Sequence, residues 1–450
     1  MKSIFSRAFY LSIGLLGILA ANPNQSWTQS AYADAAPVSK PHWVQVQARN
    51  SADRSTVENL GMSIEAVRSD CVWGFANDKV VAKLEAQGFQ ILSQTAMEIG
   101  RGGHETMYDF PPQDARYHNF QQTTDALNNL HSLYADITKV ISVGKSVEGR
   151  DIYALHINTD PQDLATGKSV KPGAIYMGNH HAREHLSVEI PLMMAQYLLK
   201  NKDDAQISAL LKSRDIWFVP MVNPDGSEFD IATGQYQYWR KNRSKNSDGT
   251  YGVDLNRNYG YEWGTGGSDT DTSSEIYMGP APFSEPETRA MRDFVEAHLN
   301  ATVLLTFHSF SELVLYPWGH SNDPVPNTKD QQTFEKMATT MAAWNHYTPE
   351  QASALYIASG DTTDWAYGTH GIFAFTFELS PSSNEMGPGG FYPGAGIIDK
   401  VFQDNLKPVL YLLDAADNPY KVLGNTPTGM LQNYMEPKVD SAFDSPLGLN

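Results

Sequence analysis

For most of this chain the sequence predicts an α/β fold, a mainly parallel mixed sheet with helices on both faces. Beyond residue 113, helical apolar patterns alternate with short apolar runs that are typical of strands buried on both sides. Ahead of them, residues 42–96 alternate strand and helix patterns within a much shorter stretch. That stretch indicates a small, separate α+β module in front of the large unit.

The composition of the chain limits its possible domain number, binding partners and cross-links. The chain has 450 residues, enough for more than one domain, and 41% of them are hydrophobic, as in globular proteins. Its formal net charge of −18 argues against nucleic acid or an anionic membrane as a partner, because both require a basic surface. Cys71 is the single cysteine, so no internal disulfide and no cysteine-rich metal cluster can form.

The first residues have the pattern of a signal peptide. Lys2 and Arg7 make the first seven residues basic, and the apolar run 8–21 follows them. Small residues at 31–35 then offer a cleavage site. This run is short for a membrane span, so we predict a signal peptide over residues 1–35 and a secreted protein. An N-terminal anchor is the alternative. No later stretch is long and apolar enough to span a bilayer, so no stable membrane association is expected.

The small module and its linker are predicted to occupy residues 36–108. The module reads as strand, helix, strand, helix, strand, at His42–Val46, Arg54–Leu60, Cys71–Phe75, Asp78–Gln87 and Phe89–Leu92. A glycine-rich segment at 100–104 and two prolines at 111–112 then predict a flexible boundary that is open to proteolysis.

The large unit is predicted over residues 109–420 and is followed by a loosely packed tail, 421–450. Its helical patterns are Phe120–Tyr134, Ser187–Leu199, Glu285–Leu299, Gln331–Trp344 and Ile397–Leu413. Its strand patterns are Val140–Val143, Ile152–Ile157, Ala174–Met177, Ile216–Val219, Thr302–Phe307 and Ile372–Phe377.

A metal site is indicated where two of these strands end. His181 and Glu184 follow the strand at 174–177 at a spacing that places both side chains on one face if the segment enters the next helix. His308 follows the strand at 302–307, and strand ends of an open α/β sheet meet at one edge. Two imidazoles and a carboxylate suit catalytic zinc. His180 and His185 compete with His181 as ligands.

Glu378 ends another apolar strand. A buried carboxylate is costly without a partner, and a nearby metal ion with its water would provide one. Such a carboxylate can take a proton from the water and return it to a leaving amine. A structural ion pair with an arginine is the alternative.

The residues resemble the zinc carboxypeptidases of the carboxypeptidase A/B and T type over roughly residues 113–415. These segments carry the resemblance: His181-Ala182-Arg183-Glu184, Val222-Asn223-Pro224-Asp225-Gly226, Trp239-Arg240-Lys241-Asn242-Arg243, Asp254-Leu255-Asn256-Arg257-Asn258, His308-Ser309-Phe310, Tyr356-Ile357-Ala358-Ser359-Gly360 and Phe375-Thr376-Phe377-Glu378-Leu379. Each is weak alone, but together and in this order they are specific.

The resemblance implies a site and a reaction. It implies one Zn²⁺ held by His181, Glu184 and His308, with Glu378 as the catalytic carboxylate. It implies that Arg240 stabilises the oxyanion of the hydrolysed peptide bond. Further residues would bind the C-terminus of a peptide or protein substrate: Asn256, Arg257 and Tyr356 at its carboxylate, and Arg183 upstream of the scissile bond.

The resemblance also bears on specificity and activation. Thr363 occupies the position that often decides the side-chain pocket, and Asp361 lies beside it, from which we expect acceptance of both apolar and basic C-termini. Residues 36–108 fit a propeptide, and cleavage by an activating protease is expected in the 101–109 linker. Alternatives are a muropeptide peptidase of the same family or an inactive peptide-binding relative. A serine hydrolase is set aside because the sequence has no Gly-x-Ser-x-Gly elbow.

Overall fold

The computed structural model describes residues 41–97, 109–383 and 387–424. The predicted signal peptide and most of the predicted linker and C-terminal tail lie outside these ranges. None of the helices in the described ranges combines the length and apolar character that a membrane crossing requires.

The N-terminal module is a four-stranded antiparallel sheet with two helices. Its elements are β1 (His42–Gln47), α1 (Ser51–Asn59), β2 (Ser63–Val67), β3 (Cys71–Ala76), α2 (Asp78–Ala86) and β4 (Ile91–Ala96). The strand order is β2-β3-β1-β4, and apolar side chains of β1 pack with those of α1 and α2 in one small core. The predicted module is therefore present. β2 was not predicted, because its five residues carry a glutamate and give little periodicity.

The large unit alternates strands and helices, as predicted. Its strands are β5 (Thr138–Lys145), β6 (Asp151–Ile157), β7 (Gly173–Gly178), β8 (Asp215–Val219), β9 (Ala301–Ser309), β10 (Leu313–Tyr316), β11 (Thr348–Gln351) and β12 (Phe373–Leu379). Its helices are α3 (Phe120–Leu133), α4 (Pro161–Thr166), α5 (Leu186–Lys200), α6 (Ala205–Ser213), α7 (Pro224–Asp230), α8 (Pro286–Ala297), α9 (Thr328–Asn345), α10 (Thr362–His370) and α11 (Ile398–Ala415).

These strands form one eight-stranded mixed sheet in the order β11-β10-β12-β9-β7-β8-β6-β5. The central strands β12, β9, β7 and β8 run parallel, and antiparallel pairs flank them. Alternate residues of β7 join different cores. Tyr176 packs with α5 and α11, whereas Ile175 packs with α8 on the opposite face. This period of two confirms a sheet covered on both faces.

The sheet brings the predicted site residues to one edge. β7, β9 and β12 are neighbours and parallel, so their carboxyl ends lie side by side. β7 ends at Gly178, where a Cβ atom would lie 2.0 Å from the carbonyl oxygen of Ser187. Glycine is thus required for the start of α5 to pack against the end of β7, and the turn between them carries His181 and Glu184.

Candidate metal centre

Three side chains converge at the sheet edge. His181 Nδ1 lies 2.7 Å from Glu184 Oε1, and His308 Nδ1 lies 3.0 Å from Glu184 Oε2. The two Nδ1 atoms are 3.2 Å apart, so at least one of them presents its lone pair to the other. One ligand atom from each residue lies within 4.8 Å of the others, and all three residues are buried. Two imidazole nitrogens and a carboxylate match the protein ligands of catalytic zinc.

The local structure around the pair differs from the prediction. His181 and Glu184 lie in the turn before α5, which begins at Leu186, and not within the helix. The Glu184 amide donates to the His181 carbonyl at 3.2 Å, so a tight turn still brings both side chains to one side. The required proximity therefore does not depend on helical geometry.

The competing histidines are engaged elsewhere. His180 Nε2 is 2.9 Å from the Tyr259 hydroxyl, and His185 Nε2 is 2.8 Å from Asp230. His181 is consequently the histidine of this segment that faces Glu184 and His308.

Asp254 contacts the ring nitrogen of His181 that faces away from Glu184, a contact that was not predicted from the sequence. Its Oδ1 lies 3.1 Å from His181 Nε2, while its Oδ2 accepts a 3.0 Å hydrogen bond from Arg240 Nε. Burial works against ionisation, yet Arg240 and His181 hold the pKa of Asp254 well below its usual range. A carboxylate on the outer ring nitrogen fixes the orientation of a metal-binding histidine. The sequence did offer an indication that Asp254 belongs to the site, since it directly precedes the Leu255-Asn256-Arg257 segment.

Glu378 lies beside the centre. It sits opposite His308 in the parallel register of β12 and β9 and lines a cavity. No hydrogen bond or ion pair joins its carboxylate to the described residues, so the alternative of a structural pair with arginine finds no support there. Enclosure raises the pKa of Glu378 well above its usual range, and Glu184 adds to this effect. A carboxyl group in this environment takes up a proton readily.

The cavity has a volume of about 280 Å³ and joins the predicted catalytic and substrate-binding residues. It is lined by His181, Glu184, Arg240, Asn256, Arg257, Tyr356, Asp361, Thr363 and Glu378. Arg183 is not among its lining residues. The β2 strand of the N-terminal module forms part of its wall. The separate motifs of the sequence thus surround one space.

Two glutamates of the module contact the arginines of the site. Glu58 Oε1 accepts a 3.0 Å hydrogen bond from Arg257 Nη2, and both side chains are buried. Glu65 Oε1 lies 2.7 Å from Arg183 Nη2 and 3.8 Å from Arg240 Nη1. Sequence reasoning missed both glutamates, because nothing in their local pattern marks a long-range partner.

The remaining predicted residues also meet the module or each other. The Tyr356 hydroxyl donates to the carbonyl of Ile64 at 3.2 Å. The Arg183 guanidinium is fully buried between the rings of Phe75 and Phe391, with centroids at 4.3 and 4.5 Å. The module therefore covers the positions at which upstream substrate residues were expected.

Asn256, Arg257 and Tyr356, the residues expected at the substrate carboxylate, are called the clamp below. Hydrogen bonds join the first turn of α10 to Asn256 of this clamp. Asn256 Oδ1 accepts hydrogen bonds from the Thr362 amide and hydroxyl, at 3.0 and 2.8 Å. Thr363 Oγ1 donates to Asp361 Oδ1 at 2.7 Å.

The fold and the site together define a class of protein. An α/β unit that gathers His181, Glu184, His308 and Glu378 at the ends of its parallel strands is a metal-dependent hydrolase.

Comparison with known proteins identifies the family. The zinc carboxypeptidase family model matches residues 123–408. A zinc carboxypeptidase of Saccharothrix mutabilis subsp. capreolus is 37% identical over 327 residues, which cover 71% of this chain and 74% of the relative. Human carboxypeptidase A1 is 31% identical over 313 residues, covering 68% and 72%. Carboxypeptidase A from Helicoverpa armigera has the same fold, with a TM-score of 0.67 at 23% identity over 84% of this chain and 98% of that structure.

The chain belongs to the zinc carboxypeptidase family, and the predicted fold class and family are confirmed. It is a metallocarboxypeptidase that uses one catalytic zinc ion, and its substrates are peptide C-termini.

Proposed function

We propose that the chain is a secreted, latent zinc exopeptidase with the following division of roles. His181, Glu184 and His308 hold the zinc ion, and Glu378 is the catalytic carboxylate. The observation that carries the proposal is the shared cavity, in which His181, Glu184, Glu378 and Arg257 line the same space. The third ligand, His308, adjoins it at 3.0 Å from Glu184.

The chemistry follows from these positions. Zinc held by these residues would polarise the scissile carbonyl and lower the pKa of a water molecule, which generates a nucleophile near neutral pH. Glu378, which lies beside the ligands and lines the same cavity, would accept a proton from the attacking water and deliver it to the departing amine. Arg240, held by Asp254, supplies positive charge where the oxyanion develops.

The clamp makes the enzyme an exopeptidase. Arg257 binds the free α-carboxylate of the substrate with Asn256 and the Tyr356 hydroxyl, because a guanidinium pairs with a carboxylate through two parallel hydrogen bonds. In the enzyme–substrate complex the substrate carboxylate replaces Glu58 on Arg257.

Latency comes from the N-terminal module. Glu58 occupies Arg257, and Glu65 occupies Arg183 beside Arg240, so the module satisfies the same arginines that a peptide needs. Cleavage in the 101–109 linker by an activating protease releases the module. Secretion follows from the predicted signal peptide over residues 1–35.

A peptide panel tests the proposal. The protease-processed chain should release C-terminal Leu, Phe and Arg from otherwise identical peptides, and a zinc chelator should abolish the release. Glu378→Gln should reduce kcat by about 100-fold or more while metal analysis still finds one zinc per chain. Glu296→Gln, on the exposed face of α8, is the matched control. Activity that survives both the chelator and Glu378→Gln would overturn the proposal.

A further inference from the structure

One buried carboxylate outside the cavity joins the segment that carries a zinc ligand to the segment that carries the oxyanion arginine. Asp230, the last residue of α7, is fully buried and is not among the residues that line the cavity. It binds His185, which directly follows Glu184. It also binds Trp239, which directly precedes Arg240. This inference therefore rests on the roles of Glu184 and Arg240 in the proposed function.

Three donors share the two oxygens of Asp230. His185 Nε2 lies 2.8 Å from Oδ2, and the Trp239 amide donates to Oδ1 at 2.7 Å. The Tyr392 hydroxyl donates to Oδ1 and Oδ2 at 3.1 and 3.0 Å. A carboxylate only accepts, so the ring of His185 carries a proton on Nε2. Hydrogen bonds to a charged group are short and strong, and the two N–H donors lie at such distances.

Packing holds the ring of His185 in place for this bond. Phe110 is 4% exposed and meets the ring edge-on, with centroids 4.8 Å apart and an interplanar angle of 87°. On the other side of the ring, His185 Nδ1 lies 3.4 Å from the Ser227 hydroxyl. The ring therefore has little freedom to rotate, and its bond to Asp230 fixes the backbone at residue 185.

Glu184 depends on such an anchor because it lies outside regular secondary structure. It belongs to the turn before α5, and its amide bond to the His181 carbonyl, at 3.2 Å, is at the long end of the hydrogen-bond range. A helix would set the direction of the Glu184 side chain, whereas a turn requires further contacts to do so. The bond between His185 and Asp230 is one such contact, and it ties the turn to the end of α7.

The same carboxylate holds the segment that carries Arg240. Residues 232–243 lie in neither a helix nor a strand, so this segment also needs anchors. The Ala182 amide donates to the Arg240 carbonyl at 2.9 Å, which sets the segment against the metal-binding turn. Asp230 adds a second tie at the Trp239 amide. Two groups that must face the same scissile bond are thus fixed to one carboxylate.

We propose that Asp230 is a positioning residue, which fixes Glu184 and Arg240 relative to each other through His185 and the Trp239 amide. Replacing its carboxylate should weaken zinc binding and transition-state stabilisation together. The clamp should be unaffected, because the side-chain hydrogen bonds of Asp230 go to His185, Trp239 and Tyr392 and not to the clamp residues.

The test measures zinc affinity of the full chain by chelator competition, and kcat and KM of the processed chain. Asp230→Asn should weaken zinc binding about 10-fold, as the loss of a supporting contact behind a metal ligand does. It should lower kcat about 10-fold or more, because Glu184 and Arg240 are no longer held in register. KM for a free C-terminus should stay nearly unchanged.

Two variants of His185 separate the hydrogen bond from the packing of the ring. His185→Phe keeps a ring against Phe110 but has no donor, so it should weaken zinc binding as Asp230→Asn does. His185→Gln loses the ring but places an amide N–H donor near the position of Nε2, so it should keep most of the zinc affinity.

Asp215→Asn is the matched control. Asp215 is also fully buried and lies 2.6 Å from His156 Nε2, but it begins β8 and so lies at the opposite edge of the sheet from the metal centre. This variant should lower Tm and leave the zinc affinity and kcat of the folded protein unchanged.

The outcomes separate this inference from the proposed function. Equal losses of zinc affinity in His185→Phe and His185→Gln, wild-type affinity in a folded Asp230→Asn, or an equal loss in Asp215→Asn would overturn this inference alone. If Asp230→Asn does not fold, the two His185 variants decide. Glu184→Gln tests the ligand set itself, and wild-type zinc affinity in that variant would overturn the proposed function and this inference with it.

Discussion

The contact between Glu65 and Arg183 offers a direct test of latency. The pair is closed to solvent, with side-chain exposures of 8% and 0%, and its atoms are 2.7 Å apart. Truncating one partner of such a pair costs about 2–5 kcal/mol, mainly because the other charge stays buried without compensation. Glu275 remains 3.0 Å from Arg183, so we expect the lower part of this range for Glu65→Ala, about 2–3 kcal/mol.

That loss should raise the activity of the uncleaved chain about 30- to 150-fold, up to the level of the processed enzyme. The assay compares hydrolysis of a small blocked peptide before and after proteolytic processing. Glu65 lies outside the core of the module, which contains its neighbour Ile64, so the variant should still fold. Asp78→Asn, in an exposed ion pair of the same module, is the control. A folded Glu65→Ala chain as silent as the wild type would refute this account of latency.

Three further predictions concern Asp254, Glu58 and Arg257. Asp254→Asn should weaken zinc affinity about 10- to 100-fold in chelator competition, because the carboxylate behind His181 is lost. With the module docked, burial raises the pKa of Glu58 to about 7, although Arg257 opposes this rise. Docking of the module therefore takes up a proton, and latency should weaken as the pH rises from about 4.5 to about 7. Glu58→Gln should flatten that pH profile of uncleaved relative to processed activity. Arg257→Met in the processed enzyme should lower kcat/KM about 100-fold for free C-termini and leave hydrolysis of C-terminally amidated peptides unchanged.

Much of the fold could be predicted, because long elements carry strong periodicity. The predicted helix Ile397–Leu413 and the observed Ile398–Ala415 differ by two residues or fewer at each end. Short elements escaped prediction. β11 covers Thr348–Gln351, contains proline, and is a strand only because β10 lies beside it. Tertiary pairing, not local propensity, determines such segments.

The candidate metal centre could be predicted from the sequence for a related reason. His308 and Glu378 each end a strongly apolar strand, and strand ends of a parallel sheet share one edge. The turn at His181 could not be distinguished from a helix start, since residues three apart lie close in both. The prediction of a metal site was unaffected by this difference, because it requires only that the side chains of His181 and Glu184 lie close together.

The contacts between the module and the arginines of the site could not be predicted from local sequence patterns. Glu58 and Glu65 belong to α1 and β2, whereas Arg257 and Arg183 lie more than a hundred residues later in the chain. Their pairing nevertheless follows from a physical requirement of the site. In the proposed function Arg257 is buried to hold a substrate carboxylate, which is costly whenever that carboxylate is absent, so a segment that covers the cavity must itself present a carboxylate to Arg257. The same burial that gives the clamp its strength therefore dictates the chemistry of the segment that covers it.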